Sequence, residues 1–114
     1  IQPPHMATFH IKRSTHGAYL YMLRAANDKA LLWGCWEHST KGACQASIAL
    51  VRANAGDPGR YVSSEIPGLY WFTLRSTHGD RLGLSETYAE ASDRDQDLWD
   101  VIQVAPEADT EDRC

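Results

Sequence analysis

The chain has 114 residues, 43% of them hydrophobic and 23% charged, which suits one compact domain with a single core. Net charge is -4, with six Lys/Arg against three Asp/Glu in residues 1–57 and five against twelve in residues 58–114, so the dense basic face of a nucleic-acid binder is missing. No apolar run approaches the ~18 residues of a membrane span, and no basic-then-apolar secretory leader opens the chain. The expectation is therefore a cytoplasmic protein with no membrane association.

In chain order, "IQPPHM" and Ala7 read as an extension, residues 1–7, ahead of the domain. "TFHIKR" (8–13) alternates, with Phe9 and Ile11 on one face, and predicts a strand. "AYLYMLRA" (18–25) predicts a second, placing Tyr19, Tyr21 and Leu23 on one face and Leu20, Met22 and Arg24 on the other. Asn27–Asp28 form a hairpin-type turn into a third strand, "KALLWGC" (29–35). Ser39 or Thr40 then caps a helix to about Asn54, with Cys44, Ser47, Ile48 and Val51 as its buried stripe.

The same plan follows "ANAGDPG" (53–59). Strands are expected at 60–65, 69–76 and 80–86. A helix capped by Ser92 follows, with Leu98, Trp99 and Ile102 as its stripe and Asp93, Asp97 and Asp100 on a solvated face. "PEADTEDRC" (106–114) is acidic and poor in apolar residues, and residues 105–114 read as a frayed tail.

"STHG" occurs at 14–17 and 76–79, yet little around the two copies matches at that spacing. A shift of 51 does better: Tyr19 meets Tyr70, Tyr21 meets Phe72, Leu23 meets Leu74, Arg24 meets Arg75 and Ile48 meets Trp99. The two STHG segments are then not equivalent and share only turn chemistry, a Ser/Thr hydroxyl and a Gly free to take positive φ. The expected fold is α+β: repeat 1 (8–54) and repeat 2 (59–104), each β-β-β-α, share one antiparallel sheet with both helices on one face and pseudo-twofold symmetry. One such unit is too small to bury its own sheet face, and two together can.

"GAYLYMLRAAND", the helix ending "IALVRANA" and "GLYWFTLRSTHGDRLGLSETY" resemble the YegP-like family of small bacterial proteins. The resemblance covers about residues 8–104 and departs from the family pattern at Glu37, Ser47 and the acidic stretch 97–100. It implies tandem or paired strand–strand–strand–helix units with exchanged terminal strands. It implies no activity and no catalytic residues, because the family has no established function.

The chemistry-bearing residues support no catalytic, metal or cofactor site. Cys35, His38 and Cys44 offer three ligands where structural zinc wants four at paired spacings. Cys35 and His38 have no protease signature around them, and no nucleophile elbow or phosphate loop is present. With no secretory leader, Cys35, Cys44 and Cys114 are expected as reduced thiols. Burial of Tyr19, Tyr21, Leu23, Tyr70, Phe72 and Leu74 turns Leu20, Met22, Arg24, Trp71 and Arg75 onto the opposite face, the candidate surface for a protein partner. The leading expectation is a non-enzymatic interaction or structural module, a monomer with an internal pseudo-dimer. A small nucleic-acid-binding sheet and a small-molecule enzyme are the alternatives.

Overall fold

The computed structural model describes residues 7–112. The strands are β1 (Thr8–Arg13), β2 (Tyr19–Arg24), β3 (Ala30–Gly34), β4 (Tyr61–Ile66), β5 (Leu69–Arg75), β6 (Arg81–Leu84) and β7 (Asp109–Asp112). Two helices, α1 (Lys41–Ala55) and α2 (Ala91–Val104), follow β3 and β6. The strands form one sheet in the order β4-β5-β6-β3-β2-β1-β7. All pairs are antiparallel except β1–β7, which is parallel, so the sheet is mixed with seven strands, where six antiparallel strands were expected.

The expectation of a frayed tail is corrected by β7. Its sequence, DTED, has no strand-like apolar pattern, and its place is fixed by side chains of α1 instead. Lys41 Nζ lies 2.6 Å from Asp112 Oδ2. Arg52 donates from Nε to the Ala108 carbonyl at 2.9 Å and from Nη2 to Thr110 Oγ1. Ala105 and Ala108 are buried in the core, as is Ala7 at the other end. Residues 1–6 of the expected extension, and Cys114, lie outside the described residues.

Alternation puts Phe9, Ile11, Tyr21, Leu23, Phe72 and Leu74 into one core with Cys44, Ile48 and Val51 of α1 and Val101 and Val104 of α2. Where Leu23 pairs with Leu32 and Arg24 with Ala30, Leu31 is the extra residue of a β-bulge; Leu82 is its counterpart between Leu74–Gly83 and Arg75–Arg81. The bulge explains how Leu31 and Leu32, neighbours in sequence, both reach the core. Gly34 and Gly83 sit opposite each other where β3 meets β6. A methyl on Gly34 would come within 2.7 Å of the Tyr21 ring, and one on Gly83 within 2.6 Å of Leu32. The glycines are there so that these two side chains can lie across the sheet.

Both helices begin where the chain leaves an extended residue. Thr40 Oγ1 accepts from the Ala43 N–H at 3.1 Å, as expected of an N-cap. In α2 the N-cap is Glu90, with no side-chain cap bond, so Ser92 lies inside the helix and does not cap it. The caps Thr40 and Glu90 are 50 residues apart, one fewer than the 51-residue shift that matches the sequences of β2 and β5. Ile48 therefore aligns with Leu98, and Trp99 is 55% exposed rather than core. Asp97, expected on the solvated face, is buried. The apolar stripe misleads here because Arg94 and Asp97 occupy the buried side of α2 as partnered polar groups.

The two STHG segments form the same turn at non-equivalent places, β1–β2 and β5–β6. In each, the Ser N–H bonds the carbonyl four residues on (2.7 Å for Ser14, 2.8 Å for Ser76), and the Gly N–H bonds the Ser carbonyl at 3.0 Å. Ser14 Oγ accepts from the N–H of His16 and Ala18, and Ser76 Oγ from His78 and Asp80. Gly17 and Gly79 take φ of +79° and +86°. In the β2–β3 turn the corresponding left-handed residue is Asp28, at φ +68°.

Candidate interaction surface

Because paired residues in an antiparallel ladder share a face, the register defines one row across the helix-free side of the sheet. It runs Val62, Thr73, Leu84, Trp33, Met22, His10 and Glu111, one residue from each strand. The row is not uniformly open. Met22 and His10 are buried, while Val62 and Leu84 are 43% and 40% exposed.

The open apolar surface gathers in the second half of the chain. Ile66 pairs with Leu69 at the end of the β4–β5 hairpin, and Trp71 lies two residues along the same face. These three, Leu84, Ser85 and Thr87 line a groove of about 220 Å³. Its walls are mostly hydrocarbon, with Ser85 buried at one side: the Ser85 hydroxyl accepts from the Phe72 N–H at 2.9 Å and donates to the Glu86 carbonyl at 2.7 Å. Such a groove can take up apolar side chains of an extended segment.

Of the residues singled out from the sequence, Trp71 lines this groove. Leu20 is half-buried, and Met22, fully buried, presents no surface. Arg24 and Arg75 serve the hairpin turns. Arg24 Nη1 donates to the Asp28 carbonyl at 2.7 Å and Arg75 Nη1 to the Gly79 carbonyl at 2.8 Å, each four residues on. Ile66, Leu69 and Leu84 complete the groove and were not singled out. Alternation of "SEIPGLYW" about its Pro-Gly turn was the signal that could have found Ile66 and Leu69.

A second hollow, of about 280 Å³, opens between α1 and the β5–β6 turn, lined by Tyr21, Cys35, Trp36, Ser47, Leu50 and Arg81 among others. Arg81 lies over the Trp36 ring, 5.9 Å from its centre. Cys35 and His38 do not form a catalytic pair. His38 Nε2 and Ser47 Oγ share a hydrogen bond of 3.0 Å. Burial pushes the Cys35 thiol up, against the opposing pull of Arg81 and Arg75, which is the reverse of nucleophile activation. Cys44 is fully buried on α1. Among the described residues, no three His, Cys, Asp or Glu converge as metal ligands.

The strongest polar cluster is structural. Lys29 Nζ lies 2.9 Å from each oxygen of the buried Asp97 carboxylate, and the Tyr88 hydroxyl donates to Asp97 Oδ2 at 2.7 Å. Burial first, and then this hydrogen bond, push the Tyr88 phenol above its usual range. The cluster straps the start of β3 to α2. Among the described residues, no helix is long and apolar enough to cross a membrane.

No family model matches the chain. A UPF0339 protein of Bordetella pertussis is 30% identical over 109 residues, spanning 95% of this chain and 97% of that protein. The chain belongs to the UPF0339 family. A UPF0339 protein of Pseudomonas aeruginosa is 29% identical over 107 residues, 93% of this chain and 96% of that protein. YegP of Escherichia coli O157:H7 is 26% identical over 94 residues, 82% of this chain and 84% of that protein. Solution structures of a UPF0339 protein from Shewanella oneidensis and of E. coli YegP superpose with TM-scores of 0.86 each. They cover 94% and 99% of this chain, and 91% and 96% of their own, at 18% and 22% identity. The fold is therefore that of the YegP-like proteins, small bacterial α+β domains, and the YegP structure itself carries the description of a protein of unknown function. No activity comes to this chain from its UPF0339 relatives, so the argument for function rests on the surface just described.

Proposed function

We propose that this UPF0339 protein is a cytoplasmic, non-enzymatic interaction module that holds an apolar segment of a protein partner in the groove of Ile66, Leu69, Trp71 and Leu84. The observation that carries this reading is the exposure of large apolar side chains on a sheet face that no helix covers, with Ile66 at 53% and Leu84 at 40%. Trp71 supplies the aromatic anchor typical of a binding centre. Arg24 and Arg75 are engaged with turn carbonyls, which weakens a nucleic-acid reading of the same face.

The scaffold is, in this reading, a pair of tandem β-β-β-α repeats, residues 8–54 and 59–104, related by a pseudo-twofold axis between Trp33 and Leu84. Three observations support it. The bulges at Leu31 and Leu82 fall 51 residues apart. The Arg-to-turn bonds repeat at the same spacing. The isolated bridges Tyr19–His38 and Tyr70–Tyr88 both precede a helix by the same distance.

The test is recovery of partners from host lysate by the wild type and by a Trp71→Ser/Leu84→Ser variant whose circular dichroism is native. A specific partner should be lost with the groove and retained by Asp93→Ser, a change on the acidic surface of α2. Retention of the same partner by the groove variant would refute the assignment.

A further inference from the structure

The two edges of the sheet are built differently. β7 carries Asp109, Glu111 and Asp112 among its four residues, the charged blunting expected of an edge that must not pair. β4, "YVSSEI", has one charge, Glu65, no proline or lysine, and two exposed apolar side chains, Val62 and Ile66.

The hydrogen-bond directions show which groups of β4 are available. The Phe72 N–H donates to Ser85 Oγ and its carbonyl accepts from the Ser85 N–H; Tyr70 exchanges both bonds with Tyr88. Residues 70 and 72 of β5 thus turn their backbone toward β6. Trp71 and Thr73 must turn theirs toward β4, where Ser64 and Val62 are their register partners. Alternation then directs the N–H and C=O of Tyr61, Ser63 and Glu65 out of the sheet. The Tyr61 N–H is already bonded to the Pro58 carbonyl, at the end of the 3₁₀ turn Pro58–Arg60. Ser63 and Glu65 are left with both backbone groups pointing to solvent.

We propose that β4 is the interface of a twofold homodimer, pairing antiparallel with β4 of a second copy. One register satisfies the outward groups. Ser63 faces Glu65 of the partner subunit and the reverse, giving four main-chain hydrogen bonds, with Ser64 facing Ser64 of the partner subunit on the axis. That register sets Val62 directly across from Ile66 of the partner subunit on the helix-free face, joining the exposed apolar residues of both edges. No like charges meet, since Glu65 stands opposite a serine. The competing head-to-tail arrangement, β4 against β7 of the next copy, would bring Glu65 beside Asp109, Glu111 and Asp112, a repulsion that disfavours an open filament. The interface shares Ile66 with the groove, and its test reads the oligomeric state alone, whatever the groove binds.

The experiment is sedimentation equilibrium from about 1 μM to about 1 mM, combined with amide exchange. A species of twice 12.8 kDa should grow with concentration, and exchange at the Ser63 and Glu65 amides should slow in step. Ser63→Pro removes an outward N–H without touching the β5 ladder, a position where an edge strand tolerates proline. It should abolish the dimer with circular dichroism unchanged. Should Ser63→Pro misfold, Val62→Lys places a charge in the same interface and should give the same loss. A single species of 12.8 kDa throughout, or a dimer indifferent to the folded variant, overturns the proposal.

Discussion

Leu32 and Gly83 offer a measurement of how the two halves of the sheet are joined. β3 and β6 meet at two register pairs, Trp33–Leu84 and Gly34–Gly83, and Leu32 lies over the second. In Gly83→Ala the new methyl would stand 2.6 Å from Leu32 Cδ2 and 2.7 Å from Cγ, closer than carbon atoms approach, so Leu32 must move. Overpacking of this kind costs roughly 1–3 kcal/mol. The loss of unfolded-state freedom on replacing glycine returns about 0.4–1 kcal/mol. The net expectation is a destabilisation of about 1–2 kcal/mol. Leu32→Ala, at a fully buried site, should cost roughly 2–5 kcal/mol through the cavity it leaves. In the double variant the methyl occupies space that Leu32 vacated, so the clash disappears and part of the cavity fills. The double variant should therefore cost less than the two single variants together by about 1–3 kcal/mol. Urea melts followed by fluorescence of the four tryptophans give all three values. Additivity within about 0.5 kcal/mol would refute the claim that Leu32 fills the space over Gly83.

Trp99→Ala should cost less than about 1 kcal/mol and Ile48→Ala roughly 2–5 kcal/mol, and equal losses in urea melts would contradict the phase of α2. Burial holds the phenols of Tyr21 and Tyr61 above their usual range, and burial with the Asp97 bond does so for Tyr88. These groups stay neutral in the folded state while the unfolded chain ionises at pH about 10, so their contribution is intact below that pH and is lost as pH rises. Stability should fall above pH ~10 by up to about 1.4 kcal/mol per pH unit for each of Tyr21 and Tyr61 and by less for the more exposed Tyr88, and flat urea midpoints from pH 9 to 11 would exclude it. Lys29→Met leaves the Asp97 carboxylate buried without its cation, while Asp97→Asn returns a half-exposed Lys29 to water. The first should cost about 2–3 kcal/mol and the second about 1 kcal/mol, an order that paired urea melts would confirm or reverse.

The parts of the fold legible in the sequence are those where burial follows a local period. "TFHIKR" alternates polar and apolar residues as far as Ile11, and "YLYMLR" is rich in strand-forming aromatic residues; β1 and β2 form there, although His10 and Met22 on the other face are buried as well. A hydroxyl before a helical stripe narrowed the α1 cap to Ser39 or Thr40, of which Thr40 caps, while the same rule fails at Ser92. The parts not legible are decided by partners distant in sequence. Nothing within DTED announces a strand; Lys41 and Arg52, more than 50 residues away, put it beside β1. α2 was misphased because Asp97 is buried by Lys29 and Tyr88, and a polar residue with such partners is invisible to an apolar pattern. On the candidate surface, alternation assigned Trp71 to the right face and could not show that Met22 is buried, because burial there depends on more than the residue's own strand.

The residues that line the groove have different side chains at the corresponding places in the first half. At the spacing that aligns β2 with β5, Leu84 corresponds to Trp33, Trp71 to Leu20 and Leu69 to Ala18. Across the shorter β4–β5 turn Ile66 corresponds to Ser14. Ser14 and Ala18 close the STHG turn by backbone bonds and lie half-buried, and Trp33 is an indole where the groove has a leucine. The helix side diverges in the opposite sense. There Lys29, Asp97 and Tyr88 correspond to Asp80, Ser47 and His38. The strap that closes the second half against α2 gives way to a single His38–Ser47 hydrogen bond in the first, where the 280 Å³ hollow lies beside Ser47 and Asp80. If the halves descend from one unit, the groove and the hollow mark where their side chains have diverged, one on each side of the sheet. In the proposed reading the groove takes a partner segment, and a β4 dimer would set two such grooves on the same face of one continuous sheet.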